Sequence, residues 1–161
     1  MKLFPLNSTG TIDTVLENSK RGIEVSEEAA IVKILDRGRV STRPTIVKAC
    51  SKNSQELTHE DLNKIATLCK NSVSSKILIT HGTDTMVETA KFLADHNFDK
   101  TILLTGAFRP ETFKDTDADF NVGFALGVLH CLATRDVYIA MNGGLFHWSN
   151  VSHDVGQNYF V

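Results

Sequence analysis

Residues 77–89 read ILITHGTDTMVET, and this stretch decides the fold. The apolar run that ends at Thr80 is continuous rather than alternating, as expected of a strand covered on both faces. His81 to Thr85 are small or polar, and Met86, Ala90 and Leu93 then recur on one helical face. Thr85 and Glu88 have the spacing of a capping box, which predicts a helix starting at Met86. The stretch therefore reads as strand, turn, helix.

The same unit recurs along the chain. Apolar runs lie at Leu3 to Leu6, Thr45 to Ala49, Lys76 to Thr80, Thr101 to Thr105 and Val137 to Met141. Helical periodicity fills most of the gaps. Glu27 to Leu35 follows Ser26 as an N-cap, and Glu60 to Cys69 follows Thr58, with Asp61 completing a capping box. A fourth helix is expected from about Asp119 to Leu132. Alternation of strands and helices predicts an α/β fold: three layers, a mostly parallel sheet flanked by helices in the Rossmann or flavodoxin manner, with right-handed crossovers. The 161 residues are expected to form one domain spanning 1–161, since a second full domain does not fit.

Hydrophobic residues make up 42% and charged residues 22%, an ordinary globular balance. A net charge of −2 with scattered Lys and Arg gives no footprint for nucleic acid and no basic surface for a membrane. The partner expected is a small molecule or another protein. Cys50, Cys69 and Cys131 are odd in number and lack CxxC spacing, which suits a reducing compartment. The opening residues have too short an apolar run for a signal peptide, and no stretch reaches the roughly 18 apolar residues of a membrane span. The expected location is cytoplasmic.

In an open parallel sheet, ligands bind beyond the carboxyl ends of the strands. Polar clusters follow all five apolar runs: Asn7 to Thr11, Cys50 to Gln55, Thr80 to Thr85, Thr105 to Arg109 and Asn142 to Gly144. Singly, each is ordinary turn composition; together they mark one edge. At Gly82-Thr83-Asp84, glycine permits close backbone approach, and the following helix start offers free N–H groups to an anion. The threonine hydroxyl is a weak nucleophile that needs a neighbouring base, and the bland alternative is a simple helix cap. Ser8 to Thr11 is a similar glycine turn, too short for a phosphate loop. Asp115, Asp117 and Asp119 imitate a calcium loop, but Phe120 and Leu126 stand where glycine and glutamate are required. They read instead as a solvated loop and helix start. The histidines have no zinc spacing and read as surface or satisfied core residues.

The segment THGTDTMVETAKFL is closely similar to the second signature of the bacterial-type L-asparaginases, and STGTI resembles their first, which normally reads TGGTI. KNSQELTHEDL, LLTGAFRPETFKDTDADFNVGFAL and VYIAMNGGLF resemble further segments of that family's N-terminal domain. The resemblance implies an amidohydrolase that cleaves the side-chain amide of asparagine or a related small amide. It implies Thr11 as threonine nucleophile, and Thr83 with Asp84 as members of a proton-transfer triad completed by a lysine. Ser54 and Gln55 would hold the substrate α-carboxylate, Asp84 its ammonium group, and the backbone near Gly10 and Gly82 would line the pocket. An oxyanion donor near Thr83 would contribute about 2.7 to 4 kcal/mol. No metal or organic cofactor is implied, and a homo-oligomer is.

Four departures accompany the likeness. The family's lysine lies in a Val-x-Lys pattern that here is Val151-Ser-His153, so histidine takes its place. An imidazole can relay protons near neutrality but reaches less far. Thr9 replaces the first glycine of the TGGT turn. The family's lid tyrosine is unmatched, since Tyr138 and Tyr159 lie elsewhere, and the C-terminal domain is not matched. The alternatives are a binding module with weakened or no turnover, or a subunit of a larger assembly that packs through Val155 to Val161, Phe108 and Phe113.

Overall fold

The computed structural model describes the backbone of residues 5–7, 14–15 and 24–25, and residues 30–41, 44–50 and 52–161 in full. Six strands form the main sheet: β1 (Pro5–Asn7), β4 (Val47–Lys48), β5 (Lys76–Thr80), β6 (Thr101–Thr105), β7 (Val137–Met141) and β8 (Gly144–His147). Their order is β4-β1-β5-β6-β7-β8, parallel up to β7, with β8 antiparallel at the edge. Two small antiparallel pairs lie outside it: β2 (Thr14–Val15) with β3 (Glu24–Val25), and β9 (His153–Asp154) with β10 (Tyr159–Phe160). The helices are α1 (Ala30–Arg37), α2 (His59–Asn71), α3 (Met86–Ala94) and α4 (Ala118–Cys131). The three-layer α/β expectation holds, and the three central runs become strands with their expected bounds.

Strand pleating divides the core in two. Ile77, Ile79, Ile102, Leu104, Ile139 and Met141 pack with α2 and α3, while Leu78, Leu103 and Ala140 pack on the other face with α1 and α4. Continuous apolar strands supply both faces at once, which is why the runs do not alternate.

The crossovers depart from the expected uniform hand. From β5 to β6 and from β6 to β7 the chain steps in the same direction across the sheet, yet α3 and α4 lie on opposite faces. The steps through α1, α2 and α3 agree with one another, and the α4 step has the opposite hand. Since right-handed crossovers are the strong rule, α4 is the left-handed exception. It shares that face with α1, where its Ala118, Val122, Ala125 and Leu129 are buried with Leu78, Leu103 and Ala140. The chain therefore diverges to opposite faces beyond the carboxyl ends of β5 and β6, opening a crevice there.

Local signals hold unevenly. Thr58 caps α2 and forms the expected box with Asp61, whose carboxylate is held well below its usual range by Lys52 and by the Thr58 donors. Ser26 lies outside the described residues, and α1 is described from Ala30. Asn142-Gly143 is a two-residue hairpin turn between β7 and β8, with both residues in the left-handed region (φ 54° and 73°). That combination is the turn that matches strand twist, so this cluster is turn chemistry. Among the described residues no helix is long and apolar enough to cross a membrane.

Candidate active site

The turn after β5 is built around His81, which is fully buried. Its backbone N–H donates to the Thr105 carbonyl at 2.8 Å. Nδ1 lies 2.7 Å from the Gly82 carbonyl and Nε2 2.9 Å from the Thr89 hydroxyl. A carbonyl can only accept, so Nδ1 carries the proton and Nε2 accepts from Thr89. Burial pushes the imidazole pKa down to about 4, so the ring is neutral and acts as a satisfied core histidine. Gly106, at the end of β6, backs directly onto this turn. A Cβ there would run into the His81 carbonyl and sit 2.8 Å from Met86 Cε.

Thr83 is 7% exposed and Asp84 is on the surface, both immediately before α3. The capping box expected of Thr85 and Glu88 does not form. Thr85 occupies the N-cap position without a side-chain cap bond, and its hydroxyl donates to the Ser54 carbonyl at 3.0 Å. A tertiary contact has taken the cap's hydrogen bond, so the positive end of α3 has no capping oxygen from Thr85.

The loop after β4 meets this turn from the other side. Asn53 and Glu56 cap a 3-10 turn, Ser54–Glu56, in a reciprocal box. This turn buries Ser54 and aims Gln55 Nε2 at Asp84 Oδ2, 2.6 Å away. The pair Ser54 and Gln55 thus meets the pair Thr83 and Asp84, 28 or more residues further along the sequence, at one sheet edge. Gly82 lies in the same turn, while Thr9, Gly10 and Thr11 lie outside the described residues.

His153 sits differently. Its ring stacks on Phe160 with centroids 4.5 Å apart and planes 7° off parallel, and Phe108 lies 5.7 Å away. Both ring nitrogens are enclosed and have no hydrogen-bond partner among the described residues. No hydrogen bond joins it to Thr83 or Asp84. Phe160, from the apolar tail, is itself fully buried, while Phe113, Val155, Tyr159 and Val161 are exposed.

Sequence reasoning missed the polar network that shapes the neighbouring wall. Asp117 is more than a solvated loop residue: its carboxylate accepts from the Phe108 and Arg109 amides at 3.0 to 3.1 Å and from Asn121 Nδ2 at 2.8 Å. Asn121, buried in α4, also donates to the Gly106 carbonyl and accepts from the Asn142 amide. Asn142 in turn accepts from the Phe160 amide at 3.0 Å. An asparagine on the apolar face of a helix was the available signal, because buried polar groups need partners. Arg37 completes the frame by pairing with the buried Glu111 and with Asp119, which ties α1 to the loop after β6.

The arrangement brings a hydroxyl-bearing residue, a carboxylate held by an amide, and a helix N-terminus to one sheet edge. Such a set can hold an ammonium group and a carboxylate and transfer protons between oxygens. Among the described residues no group of three or more His, Cys, Asp or Glu is placed to hold a metal ion.

Comparison with known proteins gives concordant matches. The family described as Asparaginase, N-terminal, matches residues 2–155. The glutaminase-asparaginase of Acinetobacter glutaminasificans is 31% identical over 134 residues, which cover 78% of this chain and 40% of that protein. L-asparaginase 2 of Escherichia coli is 43% identical over 68 residues, covering 40% of this chain and 20% of the relative. The thermostable L-asparaginase from Thermococcus kodakarensis superposes with a TM-score of 0.86 at 25% identity, over all of this chain and 51% of that one. The chain thus spans about half the length of that structure, and less of the curated relatives.

Proposed function

The chain belongs to the asparaginase family, and from that premise we propose that it is an amidohydrolase hydrolysing the side-chain amide of asparagine or a related small amide. The observation that carries this reading is the bond from Gln55 to Asp84 at 2.6 Å, which joins the loop and the turn whose sequences match the family's substrate-binding and catalytic segments. Thr11 is the nucleophile. Thr83 and Asp84 form the proton-transfer pair, with His153 in the lysine's place. Ser54, Gln55, Gly82 and Gly10 line the substrate. The reaction proceeds by attack of a threonine oxygen on the amide carbon, loss of ammonia, and hydrolysis of the acyl-enzyme by water. The positive end of α3 and backbone N–H groups beside Thr83 stabilise the oxyanion.

The remaining parts of the reading rest on composition and family membership. Residues 1–161 act as a single asparaginase N-terminal-like domain in the cytoplasm, where the thiols of Cys50, Cys69 and Cys131 stay reduced. A homo-oligomer closes the open side of the crevice. Incubating the protein with asparagine, glutamine and other small amides and following ammonia tests the proposal. Release above that of Thr11→Ala and Thr83→Ala controls supports it, and equal release overturns it.

A second reading is favoured by His153 alone. With its ring stacked on Phe160 and no bond to Thr83, the protein would bind the amino acid without turning it over. Thermal stabilisation by asparagine or aspartate with no ammonia released distinguishes this reading from the first.

A further inference from the structure

At the opposite end of the sheet, three side chains outside the first site stand in line. Asp136 immediately precedes β7, and His147 closes the antiparallel β8 beside it, opposite Tyr138. His147 Nε2 is 3.0 Å from Asp136 Oδ2, and His147 Nδ1 is 2.7 Å from the Ser149 hydroxyl. We propose that Ser149, His147 and Asp136 form a second acyl-transfer site, with Ser149 as nucleophile toward small esters that carry good leaving groups.

The proton order follows from the donor inventory. An ionised carboxylate only accepts, so the His147 proton resides on Nε2, and Nδ1 is left as acceptor for the Ser149 O–H. The Ser149 amide also approaches that nitrogen, at 3.4 Å. Asp136 cannot turn away, because Oδ1 is occupied by Trp148 Nε1 at 3.1 Å and by the Val137 amide at 2.8 Å. Those donors and His147 hold its carboxylate below the usual range against the opposing effect of burial, so it is ionised at neutral pH. The His147 ring is held between Tyr138 and Trp148, each with centroids 5.5 Å away. A fixed acid that orients a fixed base next to a hydroxyl is the nucleophile-base-orienter geometry of serine hydrolases. The two ring nitrogens exchange places relative to that template, which leaves the proton route intact.

Structural pinning accounts for only part of this arrangement. Asp136, Trp148 and His147 fasten β7 to β8, whereas the Ser149 hydroxyl reaches only His147 among the described residues and stands exposed on the following turn. Exposure also sets the substrate class. The developing oxyanion is stabilised by water rather than by a dry donor pair, so only activated acyl donors react at an appreciable rate.

Each step balances. Ser149 Oγ bonds the acyl carbon as its proton passes to Nδ1; the alkoxide or phenoxide departs and takes that proton. Water then gives a proton to Nδ1 and its oxygen to the acyl carbon, and Ser149 leaves as the free alcohol, recovering the proton.

The test uses the whole chain and a fluorophosphonate probe, with peptide mapping by mass spectrometry. The Ser149 oxygen displaces fluoride from phosphorus, and the label is expected on the peptide containing Ser149. Its rate should fall at least ten-fold in His147→Gln and in Asp136→Asn, and the label should vanish from that peptide in Ser149→Ala. Asparagine in excess, which would occupy the first site, should leave the rate unchanged, so failure of one site is separable from failure of the other. Melting curves confirm that the variants are folded, and Ser149→Ala removes only an exposed hydroxyl. No label on Ser149, or labelling unaffected by His147→Gln, overturns the proposal.

Discussion

The Gln55 side-chain amide donates to the Asp84 carboxylate at 2.6 Å and bridges two loops that leave the sheet from β4 and β5, strands separated in space by β1. Gln55→Ala should lower kcat/KM for asparagine about ten-fold, or about 1.4 kcal/mol, mostly through KM. Gln55→Glu should lower it further, because two carboxylates at that distance repel. Both residues are on the surface, so the melting temperature should barely move. Steady-state ammonia release and a thermal melt check this, and unchanged kcat/KM in both variants would refute the bridge's role.

Thr83 is nearly enclosed, and its hydroxyl is the smallest change available at the first site. Thr83→Ala should reduce kcat by about 10³-fold or more while the fold is retained. His153→Lys restores the residue type that the family uses and should raise kcat above that of the parent chain. If His153→Lys is no faster, the stacking of residue 153 on Phe160 limits turnover rather than the identity of the base.

Gly106 carries a steric prediction. Gly106→Ala sets a methyl group against the His81 carbonyl, so either the turn or β6 must shift. A loss of about 1 to 3 kcal/mol in stability is expected, with a larger proportional loss of activity. Chemical denaturation and the ammonia assay, compared on one preparation, test it; an alanine variant of parental stability would mean that the turn yields freely.

His81 supplies the pH dependence. Its folded pKa is lowered to about 4 against 6.5 for a free imidazole, so protonation favours the unfolded chain. The neutral ring's contribution is fully present above pH 6.5 and drains away as pH falls toward 4. The loss reaches about 3 kcal/mol across that window. Unfolding free energies of the parent and His81→Gln at pH 7.5 and pH 4.5 should therefore converge at the lower pH. Parallel curves would exclude His81 as the source.

Legibility in the sequence followed the range of the interaction. β5, β6 and β7 were readable because two-faced burial writes a continuous apolar run into consecutive residues. The Thr58 and Asp61 cap was readable for the same reason, since both partners lie within one turn. Thr85 was misread because its hydroxyl turns to Ser54, 31 positions away, a competitor that no local pattern contains. The α4 hand is not legible because the face a helix packs on is a tertiary property, and α4 is apolar nearly all round, so no local pattern marks its face. His153 could be aligned by motif, but its stacking depends on Phe108 and Phe160, which only the folded chain brings to it.

Asn121 links more than it contacts. Through Asp117, Gly106 and Asn142, its amide group connects the start of α4, the end of β6, the β7–β8 hairpin and, one bond later, the Phe160 amide. Segments fastened through one buried node open together, as a cooperative unit of local unfolding. Amide exchange at Phe160 is therefore governed by the opening of α4 and the hairpin. The rim that holds His153 shares its lifetime with the middle of the sheet.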